Sequence, residues 1–318
     1  MLHSTSPARC APRAAVPAAL LASALTVTSC AGEDGSEADS QNPLVLTTFS
    51  VLEDITAHIA DDAVQVQSIT PVGAEVHEYD PSPSDVAAAS DADLVIENGL
   101  GLEEWFDQFI AQGDAPVVTA TDGIDAHPIT RVPGHPDDQG DSAEMPTDPH
   151  AWLSPEKALT YVDNIEAALA DLVPEEAELF EDNADELRGQ LEELSASAQE
   201  RAQSVGSEIF VVSCEGAFSY AAEDLGLTEH YLWPLNAEDE GSPQQVEAQI
   251  EFVQTHDVDT IFCESTVNDG PQRQVAEATG AQLGETLYVD SLTEADGVAP
   301  TYLDLLEHNM TTILEAAE

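Results

Sequence analysis

What most constrains this chain is a rhythm: from residue 44 onward, short apolar runs alternate with amphipathic stretches, once on each side of a long helical segment. Such alternation marks parallel sheets whose strands are joined by helices that cover both faces. In the first half the spacing predicts strands at 44–48, 64–70, 94–97 and 117–119. Helices are expected at 51–59, with Ser50 as a candidate cap, at 84–89 behind Pro83, and at 102–110. In the second half strands are expected at 209–213, 231–233, 260–263 and 286–289, with helices at 218–225, 243–256, 271–279 and 301–317. The middle stretch, 155–203, reads as helical and is divided at Val173-Pro174. Its second part sets Leu179, Leu187, Leu191 and Leu194 near helical spacing, and no loop of linker composition interrupts it. The expected fold class is therefore α/β: two Rossmann-like lobes joined by a single long helix. The expected boundaries are 44–173 for the N-terminal lobe, 174–203 for the linking helix and 204–318 for the C-terminal lobe.

The first 29 residues do not belong to this pattern. They contain no acidic residue, and Arg9 and Arg13 precede an apolar run from Ala14 to Val27 that is too short to span a bilayer comfortably. The run ends in Val27-Thr28-Ser29-Cys30. An aliphatic residue, two small residues and a cysteine resemble a bacterial lipobox, which implies a signal peptide at 1–29, cleavage before Cys30 and a lipid on its sulfur. Residues 30–43 then form a polar, acidic tether. The protein is expected at the outer face of the cell membrane, held there by the lipid on Cys30. Cys214 and Cys263 both end predicted strands. In an oxidising compartment they can pair, or they can lie as buried free thiols. The second alternative is the one favoured here.

Charge excludes one class of partner. The chain has 63 acidic residues against 7 Lys and Arg, a formal net charge of −56, and two of the seven lie in the leader. Nucleic acid is not an expected partner, since phosphate recognition needs basic side chains. The acidic surface fits a saline medium in which repulsion is screened.

In parallel α/β sheets, ligands sit beyond the carboxyl ends of strands. Four metal-capable side chains occupy such places. His77 lies in Gly73-Ala74-Glu75-Val76-His77-Glu78-Tyr79-Asp80-Pro81, and His150 in Asp148-Pro149-His150-Ala151-Trp152-Leu153. Glu215 follows a strand in Val212-Ser213-Cys214-Glu215-Gly216, and Asp290 ends Leu287-Tyr288-Val289-Asp290. Two come from each half, so a site in the cleft between the lobes can use all four. Glu264 also ends a strand and is expected to support a ligand rather than bind an ion itself. Cys214 points away from Glu215 if the strand continues and is not counted as a ligand. His127 and His135 read as exposed loop residues; His58, His230, His256 and His308 read as surface or helix-end residues.

Taken together, these segments resemble the zinc/manganese-binding receptors of ABC importers, a lipoprotein family often named adhesins. The similarity runs from Leu44 to the C-terminus. It is carried by the His77 segment, Asp148-Pro149-His150-Ala151-Trp152-Leu153, Asn236-Ala237-Glu238-Asp239-Glu240-Gly241-Ser242-Pro243, Glu264-Ser265-Thr266-Val267 and the strand before Asp290. The resemblance implies one divalent metal ion held by His77, His150, Glu215 and Asp290. It also implies a monomeric receptor with a membrane permease and a cytoplasmic ATPase as partners. In that family the third ligand is His in zinc-type members and Glu in manganese-type members, so Glu215 implies the manganese type. The loop before His150 holds only His127 and His135, unlike the His-rich tract of many zinc-type receptors. Two carboxylates also suit Mn²⁺, although Zn²⁺ or Fe²⁺ can occupy such a set. The rival class is a secreted metalloenzyme. It fits less well, because a catalytic metal keeps an open position and four protein ligands would fill a tetrahedral site.

Overall fold

The structure is a computed structural model, and the residues it describes are 42–106, 114–132, 145–235 and 241–318. The expected leader, Cys30 with most of its tether, His135, residues 107–110 of an expected helix and residues 236–240 of the Asn236 motif lie outside them.

β1 (Leu44–Thr47) pairs in parallel with β2 (Gln65–Ser68) and β3 (Leu94–Glu97), and β3 pairs with β4 (Val117–Thr119), giving the order β2-β1-β3-β4. Alternate residues divide between two interiors, as a pleated strand requires. Val45, Leu94 and Ile96 face α1 (Ser50–Ala60) and α3 (Pro155–Leu172), while Leu46 and Val95 face α2 (Pro83–Asp91). Ser82 starts α2 with a capping box completed by Asp85, and Ser154 caps α3 by accepting from the Lys157 backbone N–H at 3.0 Å.

Pro174 breaks the chain after α3, and α4 (Ala177–Val205) follows. Its 29 residues span about 44 Å at 1.5 Å per residue. The helix buries Phe180, Ala184, Leu187, Leu191, Ala198 and Ala202 along one stripe and ends at Gly206, whose φ of 72° is the left-handed conformation a helix stop commonly takes. In the second half β5 (Phe210–Glu215) pairs in parallel with β6 (Thr228–Trp233), and β7 (Thr260–Ile261) with β8 (Gln282–Leu283). Around them lie α5 (Ser219–Leu225), α6 (Pro243–His256), α7 (Gly270–Thr279) and α8 (Tyr302–Glu315). The fold is two α/β lobes with a long connecting helix.

Several expectations are corrected. The apolar run 286–289 is not a strand: it makes a single bridge, Leu287 to Glu264, and the paired segment is the earlier Gln282–Leu283. Ser50 is inside α1 rather than capping it, and its Oγ accepts from the Leu292 backbone N–H at 3.0 Å. Leu102 to Phe106 run as turns. β6 starts at Thr228, earlier than expected, and this buries His230 against Phe252, with ring centroids 3.9 Å apart. Cys214 and Cys263 form a disulfide, with Cα atoms 4.9 Å apart.

The two lobes share an interior. One apolar cluster runs from Val45 through Trp152, Phe180 and Leu191 to Phe262, Leu287 and Leu305. Hydrogen bonds cross between the halves as well. The Trp152 indole N–H donates to Val289 O at 3.0 Å, the Tyr302 hydroxyl to Trp152 O at 2.5 Å, and the Gly73 N–H to Ser291 Oγ at 2.6 Å.

Candidate metal centre

The four expected ligands come from three loops and the end of β5, and the fold brings them together. Their nearest ligand atoms all lie within 4.8 Å of one another. His77 Nε2 is 3.2 Å from His150 Nε2, 3.3 Å from Glu215 Oε1 and 3.9 Å from Asp290 Oδ1, and His150 Nε2 is 3.7 Å from Glu215 Oε1. Donor atoms bound about 2.0–2.2 Å from a common ion stand roughly 3–3.6 Å apart, and the two shortest of these pairs, at 3.2 and 3.3 Å, stand at that spacing. His150, Glu215 and Asp290 are buried, and only His77 reaches the surface, with its side chain 8% exposed.

Each ligand is fixed by contacts of its own. His77 sits in the loop after β2, where the Glu75 carboxylate accepts from the backbone N–H of His77 at 2.7 Å and of Glu78 at 2.9 Å. The Trp105 indole holds the carbonyl of Val76 at 2.7 Å. His150 presents Nε2 because its other nitrogen is engaged: Nδ1 lies 2.8 Å from Asp148 Oδ1, which also accepts the His150 backbone N–H at 2.9 Å. Ser219 donates to Asp148 Oδ2, and the Tyr220 hydroxyl to Asp148 O at 2.9 Å. A carboxylate behind a ligating imidazole sets its tautomer and raises its basicity. Asp148, which the sequence reading did not single out, is placed to do this for His150. The signal was present: Asp148 opens the same motif as His150, and a ligating histidine needs an acceptor for its second nitrogen.

Glu215 ends β5. Its backbone N–H donates to Glu264 Oε2 at 3.3 Å, so Glu264 supports the ligand from a neighbouring strand end. The next residue, Gly216, donates its N–H to Trp233 O at 2.9 Å. A Cβ there would stand 2.9 Å from Ile129 Cγ2 and from Tyr231 Cδ1, so only glycine fits the approach. Asp290 follows the irregular segment at Leu287, and its Oδ2 accepts from Thr266 Oγ1 at 3.1 Å. Of the remaining histidines, His127 is half-buried rather than exposed. Its ring packs on Tyr220 at 4.0 Å, and Nε2 lies 3.6 Å from Glu223 Oε2.

Burial fixes the protonation of the site. Loss of water pushes His77 down to about 3, helped by repulsion from His150 and opposed by Glu75, and it pushes His150 down to about 3 as well. Both imidazoles are therefore neutral at ordinary pH, as donors must be. Burial also raises the Glu264 carboxyl to about 7, against hydrogen bonds from the N–H groups of Glu264, Glu215 and Cys214.

The chain is similar to known metal-binding proteins. A family model described as zinc-uptake complex component A periplasmic (ZnuA) matches residues 45–316. The chain is 40% identical to the iron-binding protein YfeA of Yersinia pestis over 293 residues, 92% of this chain and 91% of that protein. It is 33% identical to the manganese-binding lipoprotein MntA of Halalkalibacterium halodurans over 294 residues, 92% of this chain and 94% of that one. Among solved structures, the Mn-bound periplasmic metal-binding protein of Candidatus Liberibacter asiaticus superposes with a TM-score of 0.77 at 36% identity, covering 87% of this chain and all of that one.

Proposed function

The chain belongs to the zinc-uptake component A family of extracytoplasmic binding proteins that serve metal ABC importers, and from that premise we propose that it captures Mn²⁺ with His77, His150, Glu215 and Asp290. As a member it is a divalent-metal receptor and not an enzyme, and its partner is the importer's permease.

The observation that carries the ligand assignment is the convergence of two neutral imidazoles and two buried carboxylates on one point. A divalent cation neutralises both carboxylates and supplies coordination for the four donor atoms. Manganese is favoured by the donor set: the two oxygen donors, Glu215 in particular, are harder than an all-imidazole set and allow bidentate binding that raises the coordination number. A second reading, Fe²⁺, is favoured by the 40% identity to a protein named for iron binding. Both ions accept imidazole and carboxylate, so competition decides between them. The lipid on Cys30 is part of the same proposal and anchors the receptor beside its permease.

The test is metal analysis of the protein purified without chelator, then anaerobic competition among Mn²⁺, Fe²⁺ and Zn²⁺. The expected result is one ion per chain, lost in His77→Ala and Glu215→Ala, with Mn²⁺ outcompeting Fe²⁺. Undiminished binding in both variants sinks the ligand assignment. Preferential retention of Fe²⁺ replaces manganese by iron.

A further inference from the structure

The loop that carries His77 opens with a turn. Pro71 O accepts from the Ala74 N–H at 3.0 Å, and Gly73, the third residue, has a φ of 83°. A bond from the first residue to the fourth, with positive φ at the third, is a type II turn, which favours glycine there. Its central peptide, between Val72 and Gly73, carries an N–H that the turn itself does not use. That N–H donates to Ser291 Oγ at 2.6 Å. Ser291 is the residue after Asp290, so the bond runs from one half of the chain to the other. Two further pins of the loop come from its own half: the Glu75 carboxylate on the His77 N–H and the Trp105 indole on Val76 O.

The Ser291 hydroxyl is itself held in place. It donates its proton to Leu292 O at 3.0 Å. Ser50, at the start of α1, accepts the Leu292 N–H at 3.0 Å, and its Oγ lies 3.4 Å from Ser291 Oγ. Because the Ser291 proton is on Leu292 O, the Ser50 hydroxyl is the donor of that pair. Each hydroxyl is thus both donor and acceptor, and both side chains are buried. A buried polar network whose members are all satisfied is stiff, and one left half-satisfied is costly. The network also accounts for the serine at position 50, which no helix cap requires.

We propose that Ser291 is a positioning residue of the metal centre: its hydroxyl ties the turn at 71–74 to the segment carrying Asp290, and so fixes the separation of ligands that come from different halves of the chain. The inference rests on His77 and Asp290 being ligands. Their donor atoms, His77 Nε2 and Asp290 Oδ1, stand 3.9 Å apart. Ligand atoms must be held to about 0.5 Å for their geometry to count. His77 lies four residues beyond Gly73, and between them Glu75 folds the loop onto its own backbone, so a shift at Gly73 reaches the imidazole. Without the bond the His77 loop keeps the contacts to its own half and loses its register with Asp290.

The experiment uses the full chain, with Mn²⁺ as probe, in wild type, Ser291→Ala, Gly73→Ala, the variant with both changes, and His77→Ala with and without Ser291→Ala. Gly73→Ala attacks the same bond from its other end. A Cβ there meets nothing within 4 Å, but the φ of 83° is strained for alanine, so the turn leaves its type II form and the N–H points elsewhere. Each of these two changes is expected to raise the Mn²⁺ Kd about three- to tenfold, the worth of one buried hydrogen bond. Together they are expected to do no more than the worse of the two, within twofold, because both remove one bond. Losses that multiply overturn the proposal, as does a folded Ser291→Ala variant within twofold of wild type. In the His77→Ala background the loss of the Ser291 hydroxyl is expected to leave the residual affinity unchanged; a loss equal to that in wild type marks a general structural effect and also overturns it. In the metal-free protein, hydrogen exchange at the Gly73 amide, followed by nuclear magnetic resonance, is expected to be at least tenfold faster in Ser291→Ala, and equal rates in the two forms count against the tie. If Ser291→Ala does not fold, Gly73→Ala, on an exposed turn, decides by the same Kd criterion. A His77→Ala variant that binds like wild type defeats the ligand assignment itself, a failure distinct from that of the tie.

Discussion

Asp148→Ala removes a carboxylate that would touch no ion, so any loss of affinity must travel through His150. In the structure Asp148 Oδ1 accepts both the Nδ1–H and the backbone N–H of His150, and Oδ2 accepts from Ser219. Without it, nothing keeps the proton on Nδ1, and the tautomer protonated on Nε2 cannot bind metal. Partners of this kind are worth 10–100-fold in metal affinity, or about 1.4–2.7 kcal/mol. Asp148→Ala belongs near the upper end, because all three contacts go. Asp148→Asn belongs near the lower end. Its amide oxygen is kept facing His150 by two donors, and the Ser219 hydroxyl can turn to accept from the amide NH₂. What is lost there is the charge assistance. The assay is Mn²⁺ competition against a fluorescent chelator at pH 8, above the value of about 7 to which burial raises the Asp148 carboxyl. An Asp148→Ala variant that stays folded and binds within twofold of wild type refutes the reasoning, and so does an Asn variant weaker than the Ala variant.

Other perturbations have equally definite outcomes. Mn²⁺ at a hundred times its Kd is expected to stabilise the fold by about 2.7 kcal/mol, read by urea denaturation; chelator reverses the gain, and His150→Ala shows none. Gly216→Ala is expected to weaken Mn²⁺ binding at least tenfold, because the new Cβ collides with Ile129 and Tyr231; unchanged affinity would falsify the close-packing argument. Burial raises the Glu103 carboxyl to about 7, although Thr48 Oγ1 and the backbone N–H of Asn98 donate to it. A raised acid makes the folded state bind the proton more tightly, so its contribution is intact below about 4.5 and is lost as pH rises to 7, by about 3 kcal/mol in all. Glu103→Gln should therefore flatten the pH dependence of stability across that window; parallel curves for variant and wild type count against the assignment. Added salt should raise the stability of a chain with a net charge of −56, and a denaturation midpoint that ignores salt removes the screening explanation of its surface.

The alternation of apolar runs and helices was legible where a strand is buried on both faces, as β3 and β5 are, and where a helix is buried on one. β3 at Leu94–Glu97 and β4 at Val117–Thr119 fall where their apolar runs predict. The run at 286–289 misled for the same reason. Leu287 and Val289 are apolar because they are fully buried, and burial with a single bridge leaves the same trace in a sequence as a full ladder. Ser50 has the chemistry of a cap, but a tertiary partner at Leu292 takes its hydroxyl, and nothing local announces that. His230 was misplaced because β6 starts three residues before its strongest apolar run. His77 follows β2 and Glu215 ends β5, so their place in the strand pattern marked them, while His150 and Asp290 were marked by their motifs. The pairing of Cys214 with Cys263 and the role of Asp148 depend on which segments meet in space, which spacing along the chain does not encode.

The burial of three ligands beneath His77 has a consequence in time rather than in affinity. Because the lobes share one interior and are tied by the Trp152, Tyr302 and Ser291 hydrogen bonds, a wide swing between them would tear a common core. Of the four expected ligands only His77 has side-chain exposure, so an ion held as proposed would reach solvent past that imidazole, and its residence time would answer to substitutions in the 73–81 loop.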